Sequence, residues 1–196
     1  MASTLAWKMG QWPTQNELAA AAALASRGYM PPVPDMTLKW LNLDLIPPTD
    51  LGALASLATQ TVGIYSVRGN PSPLLVGLNC HRLFVDTSLS TSSTVALVDA
   101  MKIGVEEVTL CRPEDVDMTE LVRYGGDGRC RSVTLDGNIS DECRLRAKQW
   151  ASMMGWECQG TRGSSMKMTH GQVKWMKMVL RAPEKPLPEY TFVKDR

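Results

Sequence analysis

The chain has 196 residues, 44% hydrophobic and 21% charged, and its 21 basic and 20 acidic side chains leave a formal net charge of +1. That balance allows one domain with a full core and argues against wholesale disorder or a strongly basic nucleic-acid binder. Five cysteines with no CxxC pair and no histidine at zinc-finger spacing exclude a disulfide or zinc framework, so reduced thiols and a cytoplasmic or nuclear setting are expected.

From the N-terminus, residues 1–13 carry Trp7 and Trp12 and are expected to form an arm over the first unit. Lys8, Gln11 and Pro13 interrupt any apolar leader, and the alanine stretch at 19–25 is too short to span a membrane. Thr14-Gln15-Asn16-Glu17 reads as a capping box, in which the threonine oxygen accepts from the backbone N–H three residues on and the glutamate reaches back. It predicts a helix from Glu17 to Arg27 with Leu18, Ala21, Ala22 and Leu24 on its apolar stripe. Gly28 suits a left-handed stop, and Pro31, Pro32 and Pro34 forbid continuation. Residues 1–36 are therefore an arm and a capping helix.

An apolar-x-x-apolar-x-apolar phrase then recurs: Leu38-x-x-Leu41-x-Leu43, Thr59-x-x-Val62-x-Ile64, Cys80-x-x-Leu83-x-Val85, Val105-x-x-Val108-x-Leu110 and Cys130-x-x-Val133-x-Leu135. Its midpoints, residues 41, 62, 83, 108 and 133, are 21, 21, 25 and 25 residues apart. Each phrase predicts a strand, and each strand is followed by a helical stretch. Thr49 is the expected cap of a helix with Leu51, Leu54 and Leu57. A turn at Gly69-Asn70-Pro71 precedes a short helix near Pro73–Leu78, and Ser90 to Ser93 offer caps for a helix with Val95, Val98 and Met101 that Gly104 closes. The fourth unit has a polar loop at 112–117 and a helix with Leu121 and Val122 ending at Gly125-Gly126. After Ser140, the fifth has a helix with Cys143, Ala147, Trp150, Ala151 and Met154 on its buried stripe, ended by Gly155.

One more step of 25 reaches Cys158, so a sixth strand is expected there. Residues 37–158 thus make five strand–helix repeats. Residues 159–181, with a turn at His170-Gly171, are expected as a terminal strand or hairpin that covers the last edge. Residues 182–196, with Pro183, Pro186 and Pro188 among charges, are expected as a flexible tail. The fold class is α/β, a short curved array with a parallel sheet on one face and helices on the other.

The residues between the phrase's apolar positions should point away from the core. The first column is Trp40, Thr61, Arg82, Glu107 and Ser132. Beside it run Asn42, Gly63, Phe84, Thr109 and Thr134, then Asp44, Tyr65, Asp86, Cys111 and Asp136. The expected partner-binding residues are Trp40, Asn42, Tyr65, Arg82, Phe84, Glu107 and Thr109, since aromatic and arginine side chains dominate protein-binding hot spots.

On these phrases, on Ala25-Ser26-Arg27-Gly28, on the Pro48-x-x-Leu51-x-x-Leu54-x-Ser56-Leu57 stretch and on Val105-Glu106-Glu107-Val108, the chain resembles the leucine-rich-repeat family of the ribonuclease-inhibitor-like kind. It is especially similar to short repeat proteins of fishes. Val, Ile and Cys replace many leucines, and the family's asparagine after each strand is missing. The resemblance implies a protein partner and supplies no catalytic residue, cofactor or metal.

The residues read alone agree. His81 and His170, the only imidazoles, lie in no triad signature, and Gly125-Gly126-Asp127-Gly128 follows a helix, the reverse of a phosphate-binding loop. Glu106-Glu107, Glu114-Asp115 and Asp141-Glu142 lack calcium-loop spacing. Cys80 and Cys130 share one phrase position and are expected as buried small hydrophobes. Charge is uneven: residues 105–128 carry −5 and 129–196 carry +6, a polarity that can orient a charged partner. The expected function is a non-catalytic intracellular protein-interaction module. The alternatives are a structural subunit of a larger assembly and an α/β enzyme or nucleotide-binding domain.

Overall fold

A computed structural model describes residues 13–112, 116, 120–121, 128–153, 155–162, 166–167, 172–173 and 175–181. The expected arm at 1–12, the acidic loop at 113–115, the helix end at 122–126, Met154, His170 and the tail at 182–196 lie outside these residues.

Helix α1 spans Gln15–Ser26 and opens with the expected box: Glu17 N–H donates to Thr14 Oγ1 at 3.4 Å, and Thr14 N–H donates to Glu17 Oε2 at 2.8 Å. The bond from Thr14 N–H and a second from the Thr14 hydroxyl, also 2.8 Å, hold the Glu17 carboxyl below its ordinary pKa. Gly28, at φ +74°, closes the helix: Gly28 N–H donates to Ala25 O and Tyr29 N–H to Leu24 O. Leu18, Ala21 and Ala22 are buried as expected, whereas Leu24 is only half-buried.

Strand β1 is Val33–Lys39. A 3₁₀ turn at Leu43–Leu45 leads into α2, Pro48–Ala55, which starts on Pro48 with no side-chain cap, so Thr49 is not the cap expected. Leu57 lies beyond this helix. Next come β2 (Ala58–Tyr65), α3 (Ser72–Val76), β3 (Cys80–Asp86), α4 (Thr91–Ile103) and β4 (Val105–Leu110). Ser90 caps α4, its side chain accepting from Ser93 N–H, and Val95 faces solvent while Thr94, Leu97, Val98 and Met101 face inward. Past a helical segment at Glu120 and Leu121, β5 is Ser132–Asn138 and α5 is Asp141–Met153, capped by Ser140. The last described elements are β6 (Glu157–Arg162), β7 (Met166–Lys167), β8 (Gln172–Val173) and β9 (Trp175–Arg181).

Strands β1 to β5 form a parallel sheet in sequential order. When every right-handed crossover steps the same way, every helix falls on the same side of the sheet. Burial agrees: Met36, Leu38, Val62, Ile64, Leu83, Val85, Val108, Leu110, Val133 and Leu135 share one core with Leu51, Leu54, Leu74, Leu97, Ala147 and Trp150. Neighbouring helices α1 to α4 touch in order. Gly77 and Gly104, which end α3 and α4, pack so closely on the preceding unit that a Cβ would overlap the carbonyl oxygens of Gly52 and Leu78.

The register corrects the phase of the first repeat. Met36, not Leu41, is level with Val62, Leu83, Val108 and Val133, so the steps are 26, 21, 25 and 25. In the second unit Ala58, not Thr59, fills the opening apolar position, because an irregularity between Val33 and Asp35 shifts the register. Leu41 and Leu43 are buried, as their apolar character requires, but in the turn after β1.

The expected C-terminal segment 159–181 holds the end of β6, which starts at Glu157, the small antiparallel ladder β7–β8, and β9. Strand β9 lies inside the sheet between β5 and β6, antiparallel to both, and β6 is the outer strand.

Candidate interaction surface

Alternation along each strand leaves one sheet face to the helices and presents the other away from them. Among the described residues no helix covers this second face, and its residues are half-buried or exposed apart from Gly63. Register sets its three rows. Asp35, Thr61, Arg82, Glu107 and Ser132 are level, as are Thr37, Gly63, Phe84, Thr109 and Thr134. Lys39, Tyr65 and Asp86 form the third, which continues to Cys111, whose N–H donates to Val85 O, and to Asp136.

Tyr65, Arg82, Phe84, Glu107 and Thr109 therefore stand where the phrase put them. Trp40 and Asn42 do not, and Asp44 also leaves the third row. Trp40 follows the last residue of β1 with φ +56°, and Ser66 follows β2 with φ +49°; their N–H groups donate to Tyr65 O and Asp86 O. A left-handed residue turns the chain out of the pleat, so alternation stops there. Trp40 is 69% exposed, with the Lys39 ammonium 4.2 Å from its ring centroid, and so still borders the face.

Asn42 instead ties the loops. Gln15 grips its backbone, Nε2 donating to Asn42 O at 3.0 Å and Oε1 accepting from Asn42 N–H at 2.8 Å. Asp44 Oδ1 accepts from Asn70 N–H, and Asn70 Oδ1 accepts from Ser72 N–H and from the Ser93 hydroxyl. This polar seam joins the first three units where strands pass into helices. The alternative phrase Val33-x-x-Met36-x-Leu38 was present in the sequence and would have replaced Trp40, Asn42 and Asp44 by Asp35, Thr37 and Lys39.

At the centre of the face the Tyr65 ring folds over Gly63, occupying the space a Cβ there would need. Partial burial, with the Cys111 and Asp86 charges beyond it, raises the phenol's pKa. Phe84 stands in the neighbouring strand, level with Gly63 on one side and Thr109 on the other, and is half-buried. Charged pairs surround these rings: Arg82 Nε to Glu107 Oε2 at 3.1 Å, and Arg112 Nε to Asp86 Oδ1 at 3.0 Å.

Near the start of the strands, His81 Nδ1 lies 2.7 Å from Glu106 Oε2. Arg129 Nη2 donates to Glu106 Oε1 at 2.6 Å, and Arg129 Nη1 donates to Asn79 Oδ1. The bonds from Arg129 and then His81 lower the Glu106 pKa. Sequence spacing pointed to neither this cluster nor Arg112, because charged residues at loop and strand ends follow no apolar period.

Cys80 and Cys130 are buried at one repeat position, each Sγ donating at 3.4 Å to the carbonyl two residues on. Burial pushes their pKa values up to about 11 and about 12, so both are protonated thiols at neutral pH. Burial also raises that of Cys111, with the Asp86 and Asp136 charges adding to it. Among the described residues, no three or more His, Cys, Asp or Glu are placed to hold a metal ion, and no helix is long and apolar enough to cross a membrane. No protein-family model matches the chain, and a search of curated proteins finds no match.

Proposed function

We propose that the chain is a non-catalytic interaction module, a short curved array of leucine-rich-repeat-like units that binds a protein partner through its helix-free strand face. The observation that carries this reading is the placement of Tyr65 and Phe84 in neighbouring rows of adjacent strands, half-buried and flanked by Lys39, Arg82, Glu107, Asp86 and Arg112. A partner that covers the rings gains apolar burial, while the charged rim selects its orientation and excludes water. Strands β1 and β3 to β5 supply neighbours on both sides, so the patch rests on rigid sheet rather than on loops.

Strand order favours this reading over an α/β enzyme. In doubly wound folds the ligand crevice opens where strand order reverses and successive helices go to opposite sides. Here β1 to β5 proceed in one direction. The compartment proposed with this function is the cytoplasm or nucleus, where the thiols of Cys80, Cys111, Cys130 and Cys143 would stay free.

The test is affinity capture from native cytosol with the wild-type chain and a Tyr65→Ala/Phe84→Ala variant, both checked by thermal melting. Truncating Phe84 alone is expected to weaken the principal partner by about 1–3 kcal/mol, and Trp40→Ala by less, because Trp40 stands at the border. Undiminished capture by the folded double variant would remove the strand face as the site. Small-angle scattering that fits a flat rather than an arched particle would remove the curved-array reading.

A further inference from the structure

Arg82 is level with Glu107 on β4, and His81, one residue earlier, reaches both carboxylates of that strand. Its Nδ1 lies 2.7 Å from Glu106 Oε2 and its Nε2 lies 3.8 Å from Glu107 Oε1. The other oxygen of Glu107 accepts from Arg82 Nε at 3.1 Å. One imidazole therefore stands between the Glu106 cluster and the Arg82–Glu107 pair of the strand face.

The bonds decide which ring nitrogen carries the proton. Arg129, and then His81, hold Glu106 ionised below its ordinary pKa, so Glu106 Oε2 accepts and His81 Nδ1–H donates. A neutral His81 then turns the bare Nε2 toward the Glu107 carboxylate, two acceptors with no hydrogen between them. A proton added to the ring goes to Nε2 and faces Glu107.

We propose that His81 is a proton-operated switch on Arg82: a proton taken up at Nε2 draws Glu107 toward the imidazolium and loosens its bond to the Arg82 guanidinium. Charge balance makes Arg82 the group that gives way. With His81 neutral, the carboxylates of Glu106 and Glu107 face the guanidinium groups of Arg129 and Arg82. Protonation sets three cations against the same two carboxylates. Arg129 is anchored through Nε and Nη2 to Glu106 and through Nη1 to Asn79, whereas Arg82 meets Glu107 through Nε and is 55% exposed.

The surrounding charges leave this balance in place. Lys102, at the end of α4, pairs with Asp99 at 3.8 Å, and Arg131, whose N–H donates to Glu106 O, adds to the positive surplus from the far side of β4. On the other side of β3, the stretch of β2 from Ala58 to Ile64 has no ionisable side chain. His81 and Glu107 are partly solvated, so the change is a shift in population rather than an all-or-none one, and it weakens with salt.

A loosened Arg82 offers its fork to an outside carboxylate, so acid would favour a partner that brings an acidic side chain to this point of the face. That consequence rests on the strand face being the partner site. The switch itself does not, and it is read in the chain alone.

The experiment follows the isotope-labelled full-length chain by NMR from about pH 8 to about pH 5.5, the range in which histidine changes charge. At the upper end the His81 ring is expected as the Nδ1–H tautomer. As the ring takes up its proton, Arg82 Nε–H should exchange with water about threefold faster or more relative to Arg112 Nε–H, which is bonded to Asp86. The ratio removes the general pH dependence of exchange, and its midpoint should coincide with that of the ring. In His81→Asn the ratio should stay flat, and His81→Gln serves the same purpose should the asparagine variant melt lower than wild type. An Nε2–H tautomer at high pH would overturn the proposal. So would a ratio that does not change as the ring titrates, or the same change in a His81 variant.

Discussion

Where β1 meets β2, neighbouring units are joined through main chain and loop amides: the grip of Gln15 on Asn42, Asp44 on Asn70 N–H, and a shifted register around Val33 and Asp35. Where β3, β4 and β5 meet, the step is a regular 25 residues, a hydrogen bond joins His81 to Glu106, and ion pairs join Arg129 to Glu106 and Arg82 to Glu107. Both regions place the same apolar layers between sheet and helices. Core burial therefore tolerates different inter-unit bonding, provided that the apolar positions stay level.

The sharpest test of that shared layer is Val108→Asp, in the regular region. Val108 is buried between Leu83 and Val133, so an unpaired carboxylate there should cost about 3 kcal/mol or more, read as a fall in melting temperature. An unchanged melt would place Val108 outside the core.

Gly104→Ala asks whether close stacking of units matters as much as composition. Its Cβ would overlap the main-chain oxygen of Leu78, which yields only if the units separate, and a loss of about 2–3 kcal/mol in urea unfolding is expected. Gly28→Ala, at a positive φ with open space around it, should lose only about 1 kcal/mol from local strain. Equal losses would show that contact with the neighbouring unit adds nothing.

In the irregular region, Gln15→Ala removes two hydrogen bonds to Asn42 and should lose about 1–2 kcal/mol. Hydrogen exchange should quicken in α1 and in the turn at 41–45 before it does in β4. Uniform quickening throughout the chain would mean that the two regions unfold as one unit.

The smallest effect is expected from Glu106→Gln. The cluster is partly solvated, so its loss at neutral pH should be at most about 1 kcal/mol, weakening with salt. The folded carboxyl has a lowered pKa, so its stabilisation is present above the unfolded value and disappears as pH falls through the folded one. Wild type and variant should therefore differ in urea unfolding at neutral pH and converge as the pH falls through the lowered pKa of the folded carboxyl. A gap that persists in acid would assign the effect to packing rather than charge.

How far the fold was legible follows from which residues repeat. Val62, Leu83, Val108 and Val133 carried four strands at their true positions, and Thr14, Ser90 and Ser140 marked three helix starts, because caps and apolar periods are local signals. The first unit misled because Leu38, Leu41 and Leu43 satisfy the phrase as well as Val33, Met36 and Leu38 do. Only pairing with β2 decides between the two phases, and the left-handed Trp40 then ends the alternation. Thus Tyr65, Arg82, Phe84, Glu107 and Thr109 were found on the face from sequence alone, while Lys39, Arg112 and the His81 cluster were not.

By itself, the sequence determined the alternation of strands and helices, their parallel sequential order and the apolar positions that form the core. Each follows from periodicity within about 25 residues, over which the chain must bury one strand face and one helix stripe. Tertiary structure alone decided the phase of β1, the loop seam through Asn42 and Asp44, and the entry of β9 between β5 and β6. These depend on which backbone edges find partners, and the hydrogen-bonding groups of an edge are the same for every residue except proline, so no side-chain pattern announces them.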